Sequence, residues 1–288
     1  MAFRKIRYIV INTQVTEGAG VHLKRVFGFH DTVDTDPFLL LDDFRSDNPE
    51  YYLKGFPWHP HRGIETITYM LDGKVEHGDS LGNSGVINAG GVQWMTAGSG
   101  IIHNEMPKGN ENGLMGGFQL WANLPAKKKM TSPRYQEFAE KEIPVLNLDN
   151  GIIIKIICGS FENVKGPAQN VVISPEYLDI TIPPDTTFNY KITDGYTLLV
   201  YVIEGNAYFD QNLKDHSSLV GDGNLVLYEK TGDELVITTQ ECKTRFLLIS
   251  GKPLNEPVAW QGPIVMNTQE ELKLAFEEYQ NGTFIKRI

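Results

Sequence analysis

Residues 62–75 (RGIETITYMLDGKV) align without a gap on residues 194–207 (DGYTLLVYVIEGNA), at an offset of 132. Gly63, Tyr69 and Gly73 fall on Gly195, Tyr201 and Gly205, and the same offset carries Gly91 onto Gly223 and Gly100 onto Gly232. Four of these five coincidences are glycines at turn-like places, a regularity that composition alone does not produce. The chain of 288 residues is long enough for two domains, so the repeat reads as a duplication. The joint is expected in the charged, proline-containing stretch 125–147. That places one domain over residues 1–135 and a second over residues 136–288.

Short runs rich in β-branched and aromatic residues alternate with Gly, Asn and Asp turns along nearly the whole chain, as at 64–71, 92–95, 151–158, 196–203, 225–228 and 234–239. Many short strands with regular turn signals imply an all-β sandwich or barrel. Asp72-Gly73 reads as a hairpin turn. One helix is expected near the end. Thr268 and Glu271 have capping-box spacing, and Leu272, Ala275, Phe276 and Tyr279 recur at helical intervals. Such a helix would pack its apolar stripe onto a barrel exterior.

The net charge of −10 repels phosphate backbones, so direct nucleic-acid binding is not expected. The only basic run is Lys127, Lys128 and Lys129. The amino-terminal sequence lacks the apolar core of a secretory signal, and no segment has the roughly 18–20 apolar residues of a membrane span. The two cysteines, Cys158 and Cys242, are isolated; Cys158 sits in an apolar run and reads as a buried small hydrophobe, a cross-strand disulfide being the weaker reading. A cytoplasmic location is expected, or a nuclear one in a eukaryote.

His59 and His61 are separated by one residue, and so are His103 and Glu105. Residues two apart on a strand project from one face, so each pair can present two donors to a common centre. Three imidazoles and a carboxylate suit Fe(II), Mn, Co, Ni, Cu or Zn, with no thiolate to favour a soft metal. A lone His-x-His is weak evidence, because surface histidines are common. The repeat strengthens it: at the 132-residue offset the four donors map onto Lys191, Thr193, Leu235 and Ile237. Only the first domain keeps a donor set. Phe56, Trp58, Trp94, Met95, Phe118 and Trp121 are candidates to line a cavity beside it. His22, His30, His77 and His216 read as solvated or structurally bonded.

The stretches GFPWHPHRGIETITYMLDGKVEH (55–77), GGVQWMTAGSGIIHNEMP (90–107), FQLWANLP, MTSPRYQE and GKPLNEPVAWQGPIVMNTQEEL (251–272) closely resemble the pirin family of bicupins. The resemblance spans nearly the whole chain. It implies a double-stranded β-helix, or jelly-roll barrel, in each half, with metal only in the amino-terminal one. The family's metal ligands fall on His59, His61, His103 and Glu105, and its usual metal is iron. Other cupins use a glutamate at the position of Glu65; if one strand ran unbroken from the histidine pair, Glu65 would share their face, as an outer partner of the ligands or as an alternative ligand. Ser99 stands where some pirins carry Arg, which would lower positive charge near the site entrance. Two functions are implied. One is a quercetinase-like dioxygenase that cleaves a flavonol with dioxygen, with Glu105 as ligand and catalytic base. The other is a redox-sensitive regulatory protein that binds a transcription factor or metabolic enzyme.

Overall fold

The strand Ile64–Asp72 is buried along its first seven residues, and Thr197–Glu204 along its first seven. A strand with no exposed face must be covered on both sides, and both are. In the computed structural model, which describes residues 2–213 and 215–286, each lies in a seven-stranded antiparallel sheet. The first sheet runs, in spatial order, Arg134–Phe138, Val92–Thr96, Ile64–Asp72, Gly116–Asn123, Phe38–Asp43, Val21–Phe27 and Thr13–Glu17. The second runs Ile6–Ile11, Asn224–Tyr228, Thr197–Glu204, Thr244–Gly251, Glu176–Ile182, Ile153–Cys158 and Val145–Asn147. Each large sheet is closed on one side by a four-stranded sheet. In the first half this is Phe56–His61, Ile101–Lys108, Lys74–Asp79 and Ser84–Asn88; in the second it is Thr187–Lys191, Glu234–Thr238, Asn206–Tyr208 and Leu219–Gly221. The result is two jelly-roll barrels packed back to back through their large sheets.

Asp72-Gly73 is not a hairpin turn. Ile64–Asp72 pairs with Val92–Thr96 and Gly116–Asn123, whereas Lys74–Asp79 pairs in the small sheet. The chain steps from one sheet to the other here, with Gly73 at φ +70° and its counterpart Gly205 at φ +77°. The fixed offset also needs one adjustment. Tyr69 pairs with Val92 and Tyr201 with Leu225, so between these two strands the second barrel is one residue longer. Gly90, at φ +77°, is therefore the counterpart of Gly223, at φ +80°, rather than Gly91.

The tyrosines of the repeat join the barrels. The Tyr69 hydroxyl donates to Asp179 Oδ2 at 2.6 Å, and Asp179 accepts from Arg245 Nε at 2.8 Å. In mirror fashion the Tyr201 hydroxyl donates to Asp43 Oδ2 at 2.8 Å, and Asp43 accepts from Arg45 Nε at 2.9 Å. Each barrel thus buries a carboxylate that its own arginine and the other barrel's tyrosine satisfy. Around them Ile67, Trp94, Phe118 and Leu120 of the first sheet meet Tyr177, Leu199, Leu247 and Ile249 of the second.

The chain does not divide cleanly near residue 135. Ile6–Ile11 belongs to the second barrel's sheet, while Arg134–Phe138 is the edge of the first. The stretch 125–147 is largely built into both barrels, crossing between them after Phe138 and before Val145. Residues 1 and 288, the outer limits expected for the domains, lie outside the described residues. Cys158 is buried, its thiol donating to the Ala168 carbonyl, and both cysteines are free. No described helix is long and apolar enough to cross a membrane.

After the second barrel the chain returns to the first. The hairpin Ala259–Gln261/Ile264–Met266 and the helix Gln269–Gln280 form an arm across it. The helix carries the expected capping box, Glu271 N donating to Thr268 Oγ1 and Thr268 N to Glu271 Oε2. Leu272 and Ala275 are buried and Phe276 half-buried, while Tyr279 lies at the exposed edge of the stripe against Phe284. Lys129 pins the arm. Its buried ammonium donates to the carbonyls of Gly63 and Val265 and to Asn123 Oδ1. Gly63 sits at φ +79°, and a Cβ there would lie 1.9 Å from the Val265 carbonyl oxygen. Gly63→Ala is therefore expected to lower the unfolding free energy by more than about 1 kcal/mol, measured by urea titration, and to push the arm off the barrel.

Candidate metal centre

Phe56–His61 and Ile101–Lys108 are antiparallel neighbours with His103 directly opposite His59. The inward residues of Ile101–Lys108 alternate with outward ones, which puts His103 and Glu105 on the inner face. The three imidazoles converge. His59 Nε2 lies 3.0 Å from His61 Nε2 and 2.9 Å from His103 Nε2.

The first of these approaches is not a hydrogen bond. His59 Nδ1 is 2.8 Å from the Pro57 carbonyl and His61 Nδ1 is 3.1 Å from the Pro263 carbonyl. A carbonyl only accepts, so both rings carry their proton on Nδ1. Two bare Nε2 lone pairs then face each other. Neutral imidazoles repel in that arrangement unless a cation lies between them. Burial, and then the neighbouring imidazoles, hold His61 and His103 well below the ordinary histidine range. The spacing also fits a metal: at about 2.1 Å from one ion, two nitrogens subtending a right angle are about 3.0 Å apart.

Glu105 is placed beside this cluster rather than within it. The three histidines form a potential metal-binding group without it. Its carboxylate accepts from Thr68 Oγ1 at 3.3 Å and from Gln119 Nε2 at 3.2 Å. Trp121 Nε1 donates to Gln119 Oε1 at 3.0 Å, which orients the amide so that its NH2 faces the carboxylate. Gln119 was not singled out from sequence; its place opposite Thr68 in the register is the only signal, and it needs the strand pairing.

Glu65 cannot join the centre. The chain bends at Arg62 and Gly63 between the small and large sheets, so Glu65 does not continue the face of His59 and His61. With Ile67 and Tyr69 it faces the other barrel, where Thr96 Oγ1 donates to it at 2.7 Å. Burial raises its pKa. Ser99 is buried, its amide bonded to Thr131, and does not border the cavity.

A cavity of about 590 Å³ opens from the imidazoles, bordered by Glu105 and Gln119 and by Phe29, Phe56, Trp58, Trp121 and Trp260. Trp94 and Phe118 instead fill the contact between barrels, and Met95 packs in the barrel interior. Trp260 and Pro263 come from the returning arm, some 200 residues beyond the histidines in sequence. Of the remaining histidines, His22 and His30 are exposed and His216 is bonded to the Tyr208 hydroxyl. His77 is neither solvated nor hydrogen-bonded: it is buried, and among the described residues neither nitrogen has a hydrogen-bond partner.

Among the described residues the second barrel has no such site. Strand pairing sets Leu235 opposite Tyr190 and Ile237 opposite Phe188, as His103 stands opposite His59 and Glu105 opposite Phe56. Tyr190 and Ile192 therefore replace His59 and His61, one residue before the positions the fixed offset indicates. All belong to a continuous apolar core, whereas the first barrel's interior is split into two apolar clusters.

The pirin family model matches residues 20–122, and the model of the pirin carboxy-terminal cupin domain matches residues 177–285. A pirin-like protein of Caulobacter vibrioides is 42% identical over 287 residues, covering 99% of this chain and all of the relative. This chain belongs to the pirin family. Pirin of Homo sapiens is 36% identical, with 97% of this chain and 93% of that one aligned. Among solved structures, a quercetin 2,3-dioxygenase from Acinetobacter baumannii superposes with a TM-score of 0.88 at 32% identity, covering 98% of this pirin and 99% of the other chain.

Proposed function

We propose that this pirin is a mononuclear metal dioxygenase that cleaves a flavonol with dioxygen. The observation that carries the reading is the convergence of three imidazoles at the inner end of an aromatic-lined cavity that also holds a buried carboxylate. His59, His61 and His103 would hold the metal through Nε2, with Glu105 as the fourth donor. Iron(II) is the metal we assign, since nitrogen and carboxylate donors with open positions suit non-haem iron oxygen chemistry. When bound, the metal would supply a Lewis acid for the flavonol oxygens and a centre at which dioxygen is activated. The similarity to the A. baumannii dioxygenase supports this substrate class.

The protein's own residues account for the rest. Phe29, Phe56, Trp58 and Trp260 offer flat apolar faces to a planar polycyclic substrate and keep water from it. Glu105 accepts the flavonol hydroxyl proton, so that the substrate reacts as its anion. Gln119 and Thr68 aim the carboxylate and satisfy it while it waits.

Iron-loaded protein is expected to consume dioxygen and release carbon monoxide with quercetin under air. No oxygen uptake by a fully iron-loaded sample would refute the reading. Glu105→Gln is expected to lower turnover by about 10²- to 10⁴-fold, the usual contribution of a general base, measured at equal iron content.

A further inference from the structure

His59 and His61 each donate Nδ1–H to a backbone carbonyl. His103 differs: its Nδ1 is buried and has no hydrogen-bond partner among the described residues. Metal-binding histidines almost always donate their second ring N–H, because that bond sets the tautomer and the ring angle. Behind His103 lie other groups in the same condition. His77 is buried, its ring 5.4 Å from that of His103, and among the described residues neither nitrogen has a hydrogen-bond partner. Gln93 is fully buried, its amide beside the Tyr135 hydroxyl but with no well-formed hydrogen bond on either atom.

These residues face one space. His77 stands opposite Glu105 and Asp79 opposite His103 on the inner face of the small sheet. Gln93 stands opposite Thr68 and Glu137 on the inner face of the large sheet. Tyr135, in the edge strand, stacks on His77 at 5.1 Å and donates its hydroxyl to Glu137. A Cβ on Gly85, in the outer strand of the small sheet, would lie 2.7 Å from Glu137 Oε2 and 3.1 Å from the Tyr135 hydroxyl. This polar compartment therefore reaches the barrel edge on the side of Gly85 and Glu137, residues that do not border the aromatic cavity.

Buried polar atoms on three neighbouring side chains are costly to leave without hydrogen bonds. Buried water, which makes about three hydrogen bonds, is the usual remedy. We propose that His77 is a positioning residue of the metal centre: with Gln93 it holds buried water that accepts the Nδ1–H of His103 and so fixes the third imidazole. Asp79 makes His77 suitable. Its carboxylate accepts from Leu81 N, Asn83 N and Asn83 Nδ2 and lies 3.7 Å from His77 Nε2. A carboxylate so held favours the Nε2–H tautomer of His77 and leaves Nδ1 to accept from the water. The Gln93 amide supplies the complementary acceptor.

The inference rests on His103 binding metal through Nε2, and the test separates the two claims. Zn(II) affinity is measured by chelator competition for the wild type, His77→Phe, Gln93→Leu and His77→Gln, beside the thermal midpoint of each metal-free protein. His77→Phe keeps the ring and its stack on Tyr135 but removes both nitrogens. It is expected to weaken Zn(II) binding by about 10- to 100-fold, the range for lost outer partners of a ligand, without lowering the metal-free midpoint. Gln93→Leu should follow the same pattern, and His77→Gln should recover part of the affinity. Wild-type Zn(II) affinity in both His77→Phe and Gln93→Leu overturns the inference. So does an affinity loss matched by an equal loss of metal-free stability, the sign of a packing role. Failure of the wild type to bind Zn(II) at all would instead overturn the metal centre itself.

Discussion

His61→Ala is expected to abolish stable metal binding while the fold stays intact. His61 is the more enclosed of the two imidazoles in Phe56–His61, buried against Trp121 and tied to the arm at Pro263. Removing it leaves two imidazoles on neighbouring strands and the Glu105 carboxylate, one donor short of the proposed set. The loss of affinity should exceed the roughly 10- to 100-fold that changes in outer partners produce. Metal analysis of protein purified without added metal is the measurement. Stability should respond in the opposite sense. In the metal-free protein His61 and His103 are held neutral by burial, whereas in the unfolded chain they titrate near 6.5. Above that pH neither state takes up the proton. As pH falls below about 6.5 the unfolded chain binds protons that the folded one refuses, so stability drops toward the depressed folded values. His61→Ala removes one of the two groups, and its urea midpoint should fall less steeply between pH 7 and 5. Retention of a full metal equivalent by His61→Ala would sink the three-imidazole centre.

Asp179→Ala is expected to destabilise the whole chain by about 3–5 kcal/mol, the cost of stripping one partner from a buried ion pair. Asp179 is 2% exposed and receives both Arg245 and the Tyr69 hydroxyl of the other barrel. Its removal leaves a guanidinium and a phenol facing the contact between sheets. Asp43→Ala should have an effect of similar size, because Asp43 serves Arg45 and Tyr201 in the same way. Tyr69→Phe removes only one hydroxyl and should cost about 1–3 kcal/mol by leaving part of Asp179 unsatisfied. Urea unfolding followed by intrinsic fluorescence, with Trp94 at the contact, reads all three. An effect below 1 kcal/mol for Asp179→Ala would mean that the tyrosine–carboxylate links do not hold the barrels together.

Sequence alone determined what depends on short spacing and on repetition. Two donor pairs at i, i+2 spacing placed His59, His61 and His103 on inward faces because side chains alternate along any strand. The repeat identified two similar barrels and a single donor set, since glycines at left-handed turns are held in place by backbone sterics. The capping box and apolar stripe of the final helix were likewise local. Everything that hinges on which face meets which neighbour awaited the tertiary structure. Glu65 lies on the far face of the large sheet from the histidines because the chain bends at Gly63, and no local pattern records a bend between sheets. Tyr69 and Tyr201 marked the repeat without disclosing that each satisfies the other barrel's carboxylate. Trp260 and Pro263 reach the site from the far end of the chain, and His77 and Gln93 share a compartment only because two sheets close over them. Such contacts are set by long-range packing, where burial leaves each polar atom to find its partner wherever the fold brings one.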